Sequence, residues 1–245
     1  MEFPKLRKYF SPLFRQNLRS FFVIIFNPIF RFSLSRLADL YGTDKSYKHG
    51  YTNHYELFFS KLRSKKMVLL EVGIGGYQNS ELGGASLRMW KKYFNKSRIY
   101  GIDIYDKSGL DESRIKTFKC SQTDVKKLEE IISSIGKPHI VIDDGSHKNS
   151  DVIKSFKILF PLLKPGGFYS IEDVHTSYRN SFGGNSENLL SENTTMNYFK
   201  SLSDNVNQKS FDNDLLDIEK LKLSIKSIYF AKSLVILQKN SKIEN

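Results

Sequence analysis

The chain has 245 residues, a formal net charge of +12 and a mean hydropathy of −0.40. That length suits one α/β domain with a sizeable core and a short extension. The single cysteine, Cys120, excludes an internal disulfide and fits a reducing compartment. The lysines are scattered as on a solvated face and no RNA-binding signature accompanies them, which removes nucleic acid as an expected partner.

Residues 1–36 stand apart. Lys5, Arg7, Lys8, Arg15, Arg19, Arg31 and Arg36 face one acid, Glu2, among many phenylalanines. The uncharged run from Phe21 to Phe30 is too short to span a bilayer, and Pro28 interrupts it. No clean apolar core with a small-residue cleavage site marks a secretory signal. Two readings stay open for this extension. One is a helical pair packing on the rest of the chain or on another subunit of a homo-oligomer. The other is a basic, aromatic segment on an anionic membrane surface, which would place a cytoplasmic protein at the inner face of the membrane. The domain boundary falls at 36/37, with one domain over 37–245.

Residues 1–40 read mostly as helix. Residues 37–55 contain Gly42-Thr43-Asp44-Lys45 and Tyr51-Thr52-Asn53-His54-Tyr55, polar and aromatic residues that suit a loop covering a site, and a short helix follows from Tyr55 to Leu62. Val68 to Val72 is an apolar strand leading into Gly73-Ile74-Gly75-Gly76. Leu87, Trp90 and Phe94 keep helical spacing over 86–94. Strands are expected at 98–104, 115–120 and 138–142, with a helix over 125–135. Asn149 or Ser150 can cap the next helix, whose Val152, Phe156, Leu159, Phe160 and Leu163 share one face. Phe168 to Ile171 is a fifth strand. The Ser- and Asn-rich stretch 174–215 reads as an active-site lid, and 223–230 with 233–238 as a closing antiparallel pair.

Two acidic segments carry the chemistry. Ile142-Asp143-Asp144-Gly145-Ser146-His147 and Ile171-Glu172-Asp173 each end a strand of one βαβ unit, so they meet at one rim. Ligands bind at the carboxyl ends of strands in an open α/β sheet. Carboxylates crowded there repel one another unless a divalent cation or a shared proton relieves them, and His147 beside them is a ready general base. Asp143, directly after its strand, either reaches the site or holds backbone amides. At the other strand pair, Glu71, Gly73 and Gly75 open a glycine turn, and Asp103 ends the next strand where an acid accepts hydrogen bonds from ribose. The long loop Tyr77 to Gly84 and the leading acid Glu71 argue against a pyrophosphate and for a ligand with a cationic end.

These residues, in this order, resemble the class I S-adenosylmethionine-dependent methyltransferases. More narrowly the chain is similar to the metal-dependent sugar O-methyltransferases of the macrocin and mycinamicin type. Tyr41-Gly42-Thr43-Asp44-Lys45, Tyr51-Thr52 with His54-Tyr55-Glu56, Gln122-Thr123-Asp124 and Thr176-Ser177-Tyr178 with Gly183-Gly184 complete the resemblance, which covers about residues 37–240. It implies a Rossmann-like fold with a seven-stranded mixed sheet and helices on both faces. It implies S-adenosyl-L-methionine held by Glu71, Gly73, Gly75, Asp103, Ser121, Gln122 and Asp143, with Thr43 and Tyr55 nearby. Mg²⁺ (or Mn²⁺) would sit on Asp144, Glu172 and Asp173, with His147 as base. Tyr178, His54 and His175 would meet the sugar or glycan substrate. Cys120-Ser121, where relatives often carry Gly-Asp, is the departure. The acceptor is expected to be a hydroxyl of a surface polysaccharide, a glycolipid or a glycosylated natural product. Two rivals are an NAD(P)-dependent enzyme on the same sheet and a catalytically silent, membrane-associated scaffold.

Overall fold

The computed structural model describes residues 33–210 and 224–241. Most of the basic extension lies outside them, as do the calls made on it. The first described helix, α1 (Leu34–Tyr41), is capped by the Ser33 side chain and ends on Gly42 at φ 74°. Leu34, Leu37 and Ala38 of α1 are buried in the core, so α1 runs across the boundary drawn at residue 36.

After α1 come α2 (Tyr51–Phe59), β1 (Val68–Val72), α3 (Ala85–Tyr93), β2 (Arg98–Asp103), β3 (Ile115–Lys119), α4 (Val125–Ile135), β4 (Ile140–Asp143), α5 (Asn149–Leu162), β5 (Phe168–Glu172), α6 (Thr195–Ser201), β6 (Ile225–Ala231) and β7 (Leu234–Lys239). The strands form one seven-stranded sheet in the order β3-β2-β1-β4-β5-β7-β6. β1 to β5 pair parallel with one another, and β7 enters antiparallel between β5 and β6. This is the expected mixed sheet. Its strand order reverses between β1 and β4, the place where an open α/β sheet leaves a crevice.

The strands of the parallel core are buried on both faces, which explains why they read as short apolar runs rather than as alternating ones. One face packs α1, α2 and α3 through Tyr55, Phe59, Trp90 and Phe94; the other packs α4, α5 and α6 through Leu128, Phe156, Leu159 and Phe199. Alternation along each strand then sorts the acids. Glu71, Asp103 and Glu172 share the face of Leu69, Ile99 and Ser170, whereas Asp143 shares that of Val141.

Two expectations shift. The Asn149 side chain does not cap α5; its Oδ1 accepts from Thr195 N at 2.6 Å and its Nδ2 donates to Phe182 O at 2.8 Å. Asn149 thus ties the 174–210 segment onto the α5 face, where Phe199 packs on Phe156 with ring centroids 4.9 Å apart. Its α6 is thereby part of the core through Tyr198, Phe199 and Leu202, while most of 178–193 is exposed.

The loops after β1 and β4 touch at Gly73. It lies at φ 77°, and a Cβ there would collide with the Asp144 carbonyl oxygen. Gly73→Ala is expected to cost at least roughly 1–3 kcal/mol from the left-handed backbone alone. The measurement is urea denaturation, and an unchanged midpoint would contradict the close approach.

Candidate active site

A cleft of about 730 Å³ opens at the carboxyl ends of β1, β2, β4 and β5. Its walls are the 42–51 loop, the glycine loop after β1, the end of β2, and the acidic loops after β4 and β5. The 37–55 region therefore covers a site, as its composition suggests.

The centre of the acidic rim is a lysine. Lys45, from the loop between α1 and α2, is 1% exposed. Its Nζ donates to Asp144 Oδ2 and to Glu172 Oε2 at 2.7 Å each, and lies 3.3 Å from Glu71 Oε1. Burial alone would lower the Lys45 pKa, but Asp144, Glu172 and Glu71 together lift it well above the ordinary lysine range. The ammonium is therefore charged. Burial pushes Glu71 up to about 7 against the pull of Lys45, and burial and then Asp144 push Glu172 well up. Neither Glu71 oxygen has a well-directed hydrogen bond among the described residues.

The predicted rim divides around this lysine. Glu172 is turned inward: besides Lys45 it accepts from the Tyr55 hydroxyl at 2.8 Å, and it is 3% exposed. Asp144 spans the divide, with Oδ2 on Lys45 and Oδ1 facing outward, 3.9 Å from His147 Nε2. Asp173 completes the outer group: Oδ2 lies 3.7 Å from His147 Nε2 and Oδ1 accepts from the Tyr51 hydroxyl at 2.6 Å. His147 and Asp173 both hold left-handed backbone, at φ 56° and 55°. Such strain persists only where the surroundings over-determine it, and it collects at functional sites. His49, stacked on Tyr51 with centroids 5.0 Å apart, approaches Asp173 Oδ1 to 3.7 Å.

A divalent cation fits the outer group. One ligand atom each from Asp144, His147 and Asp173 can be chosen so that all lie within 4.8 Å of one another. The two carboxylates, open to the cleft, suit a hard cation that keeps water or substrate oxygens in its shell, with the imidazole beside it left to act as a base.

Asp143 does not reach the cleft. It is 1% exposed on the opposite face of the sheet, accepts from the Tyr169 hydroxyl at 3.0 Å, and meets Gln122 Nε2 and Gly145 N at 3.4 Å each. Burial raises its pKa to about 6. It braces the β4 loop, the amide-holding alternative left open by its position. Gln122 lines the cleft while its Oε1 accepts from Ser146 N at 2.8 Å; Ser121 is exposed and bonds its own turn at Thr123. Thr43, Gly73, Gly75 and Asp103 all line the cleft. Asp103 accepts from Ile74 N at 3.2 Å and Tyr105 N at 3.0 Å, which locks the glycine loop to the end of β2. His54 pairs with the Tyr229 hydroxyl at 2.8 Å and His175 with Ser233 Oγ at 3.2 Å. Neither they, nor Tyr55, nor the half-exposed Tyr178 line the cleft.

Lys45, His49 and Tyr51 are the residues that sequence reasoning did not place. Their signal was present in the polar, aromatic composition of the 42–51 loop, but no spacing rule says that a loop lysine turns inward. Lys107 was also missed. It is 1% exposed, and its ammonium donates to Asn79 O at 2.8 Å and Leu82 O at 3.1 Å, bracing the glycine loop from below.

No family model matches the chain. Among curated proteins it is similar to the mycinamicin VI 2''-O-methyltransferase of Micromonospora griseorubida, at 43% identity over 182 residues, 74% of this chain and 46% of that protein. The demethylmacrocin O-methyltransferase of Streptomyces fradiae is 44% identical over 182 residues, again 74% and 46%. Among solved structures, a methyltransferase from the mycinamycin biosynthetic pathway in complex with Mg and SAH superposes with a TM-score of 0.81 at 38% identity, over 85% of this chain and 53% of that one. The fold is that of the class I methyltransferases. The resemblance read from the motifs to sugar O-methyltransferases is thus met by sequence and structure alike, and the chain spans about half the length of the curated relatives it matches.

Removing the buried ammonium beneath the glycine loop should free that loop without unfolding the domain. Lys107→Met is expected to speed amide exchange at Asn79, Leu82 and Gly84, whose backbone bonds close the loop. Unchanged exchange at those three amides would show that the loop holds itself.

Proposed function

We propose that this domain transfers the methyl group of S-adenosylmethionine to a sugar hydroxyl, with Mg²⁺ or Mn²⁺ bound at the rim. The observation that carries this reading is the grouping of Asp144, His147 and Asp173 at one end of a cleft whose other end is the Asp103-braced glycine loop. Asp103 lies where its free lone pairs accept from ribose hydroxyls. Glu71 is fully buried and does not itself line the cleft, but it lies 3.3 Å from Lys45, which does, and through it would set the charge facing the amino-acid end. Gly73 and Gly75 let the backbone approach the ligand.

A sugar hydroxyl is a weak nucleophile because its proton is held tightly. When bound, the divalent cation supplies charge that lowers the pKa of that hydroxyl and fixes the acceptor oxygen. Asp144 and Asp173 would hold the ion, with the inward Glu172 as the third carboxylate of the set. His147 Nε2 faces the same space and takes the hydroxyl proton as the oxygen attacks the methyl carbon. The carbon–sulfur bond breaks, its electrons return to sulfur, and the sulfonium leaves as a neutral thioether. Asp144 Oδ1 and Asp173 Oδ2 lie 3.9 Å and 3.7 Å from His147 Nε2, so base and metal-holding oxygens face one space.

The acceptor proposed is a sugar of a glycosylated natural product, the kind named for the relatives above, acted on in the cytoplasm. Among the described residues no helix is long and apolar enough to cross a membrane. The nicotinamide alternative is not favoured, since eight residues from Tyr77 to Gly84 separate the glycine turn from α3, where a pyrophosphate site would enter its helix directly.

His147→Ala is expected to lower methyl transfer by roughly 10²–10⁴-fold while leaving S-adenosylhomocysteine binding in place. Methylation at the full rate would remove the base assignment. Asp103→Ala is expected to weaken S-adenosylhomocysteine binding by on the order of tenfold to a hundredfold in calorimetry, the loss of a charged hydrogen-bond acceptor. EDTA should abolish turnover, with Mg²⁺ restoring it; turnover indifferent to EDTA would remove the metal.

A further inference from the structure

We infer that Lys45 is a built-in counter-cation that competes with the divalent ion for the acidic rim, and so sets both the strength and the charge selectivity of metal binding. The inference rests on the metal-dependent reading above and adds a residue to it.

Three carboxylates, on Glu71, Asp144 and Glu172, point at one ammonium. Asp144 is shared: Oδ2 is held by Lys45 at 2.7 Å while Oδ1 faces the His147 and Asp173 atoms that can ligate a metal. Two cations on one carboxylate repel, and in a buried site that repulsion is weakly screened. Lys45 also holds Glu172 Oε2 at 2.7 Å, which keeps that carboxylate inward and away from the outer group. A divalent ion that recruits Glu172 must take it from the ammonium. The lysine has somewhere to go, since it lines the cleft.

Lys45 brings one positive charge to three carboxylates. That single charge offsets part of their mutual repulsion, which would otherwise drive them further towards taking up protons. The arrangement also predicts selectivity. A monovalent ion offers no more charge than the resident ammonium and gains nothing by displacing it, whereas a divalent ion does.

The neutral, near-isosteric Lys45→Met tests this. Mg²⁺ and Mn²⁺ affinity, read by calorimetry on the full chain, is expected to tighten by at least tenfold, and the Mg²⁺-induced rise in Tm to grow. The metal-free Tm should fall, because a buried charge partner is lost. Affinity unchanged or weakened in Lys45→Met would overturn the inference. Should that variant not fold, the wild-type chain gives the answer by acetic anhydride labelling and mass spectrometry. Lys45 is expected to resist acylation without metal and to become reactive at saturating Mg²⁺. Unchanged Lys45 labelling in protein shown by calorimetry to hold Mg²⁺ would overturn the inference while leaving the metal reading intact. A wild-type chain that binds no divalent ion would overturn both.

Discussion

The placement of one ammonium organises the carboxyl ends of this sheet. β1, β4 and β5 each deliver an acid to the same crevice because parallel strands end together, and alternation puts Glu71 and Glu172 on one face of it. Such a set of buried negative charges is not stable by itself. Lys45 relieves it from a loop nearly 100 residues away in sequence from Asp144. The α1 and α2 helices that carry this loop are therefore more than a cover on the sheet: their packing on α3 sets where the charge lies.

From that constraint the division of labour among the acids follows. Asp143 belongs to the opposite face and fastens the β4 loop through Tyr169 and Gln122. Glu172 is held between Lys45 and Tyr55. Asp144 and Asp173 each turn an oxygen toward His147 at the cleft. Adjacent residues in the sequence thus do different work because a strand sends neighbours to opposite sides, and because Asp173 leaves its strand through a left-handed turn.

The sheet, its helices and most of the rim were legible in the sequence. Short apolar runs ending in glycine or acid marked β1, β2, β4 and β5, and the helical spacing of Leu87, Trp90 and Phe94 marked α3. What was not legible depends on contacts between distant residues. Asn149 looks like a helix cap, yet it is satisfied by the backbone of residues 182 and 195. The polar stretch 174–215 reads as a lid, yet Tyr198 and Phe199 within it pack into the core beside Phe156. His54 pairs with Tyr229, and His175 lies between Ser233 and the rim's Asp173, so neither side chain lines the cleft. A motif fixes the backbone of a loop better than the direction of each side chain on it.

The position of β7 has a consequence for how the protein comes into being. This strand pairs on both sides, with β5 and with β6, so it is an interior strand synthesised after both of its neighbours. Until Leu234–Lys239 leaves the ribosome, β5 presents a bare, apolar edge of the kind that recruits foreign strands. The parallel part of the sheet, itself built from sequence-distant pairings that form slowly, must wait in that state during synthesis. A nascent chain stalled before β7 should be a client for holdase chaperones, and the last hairpin is the step that releases it.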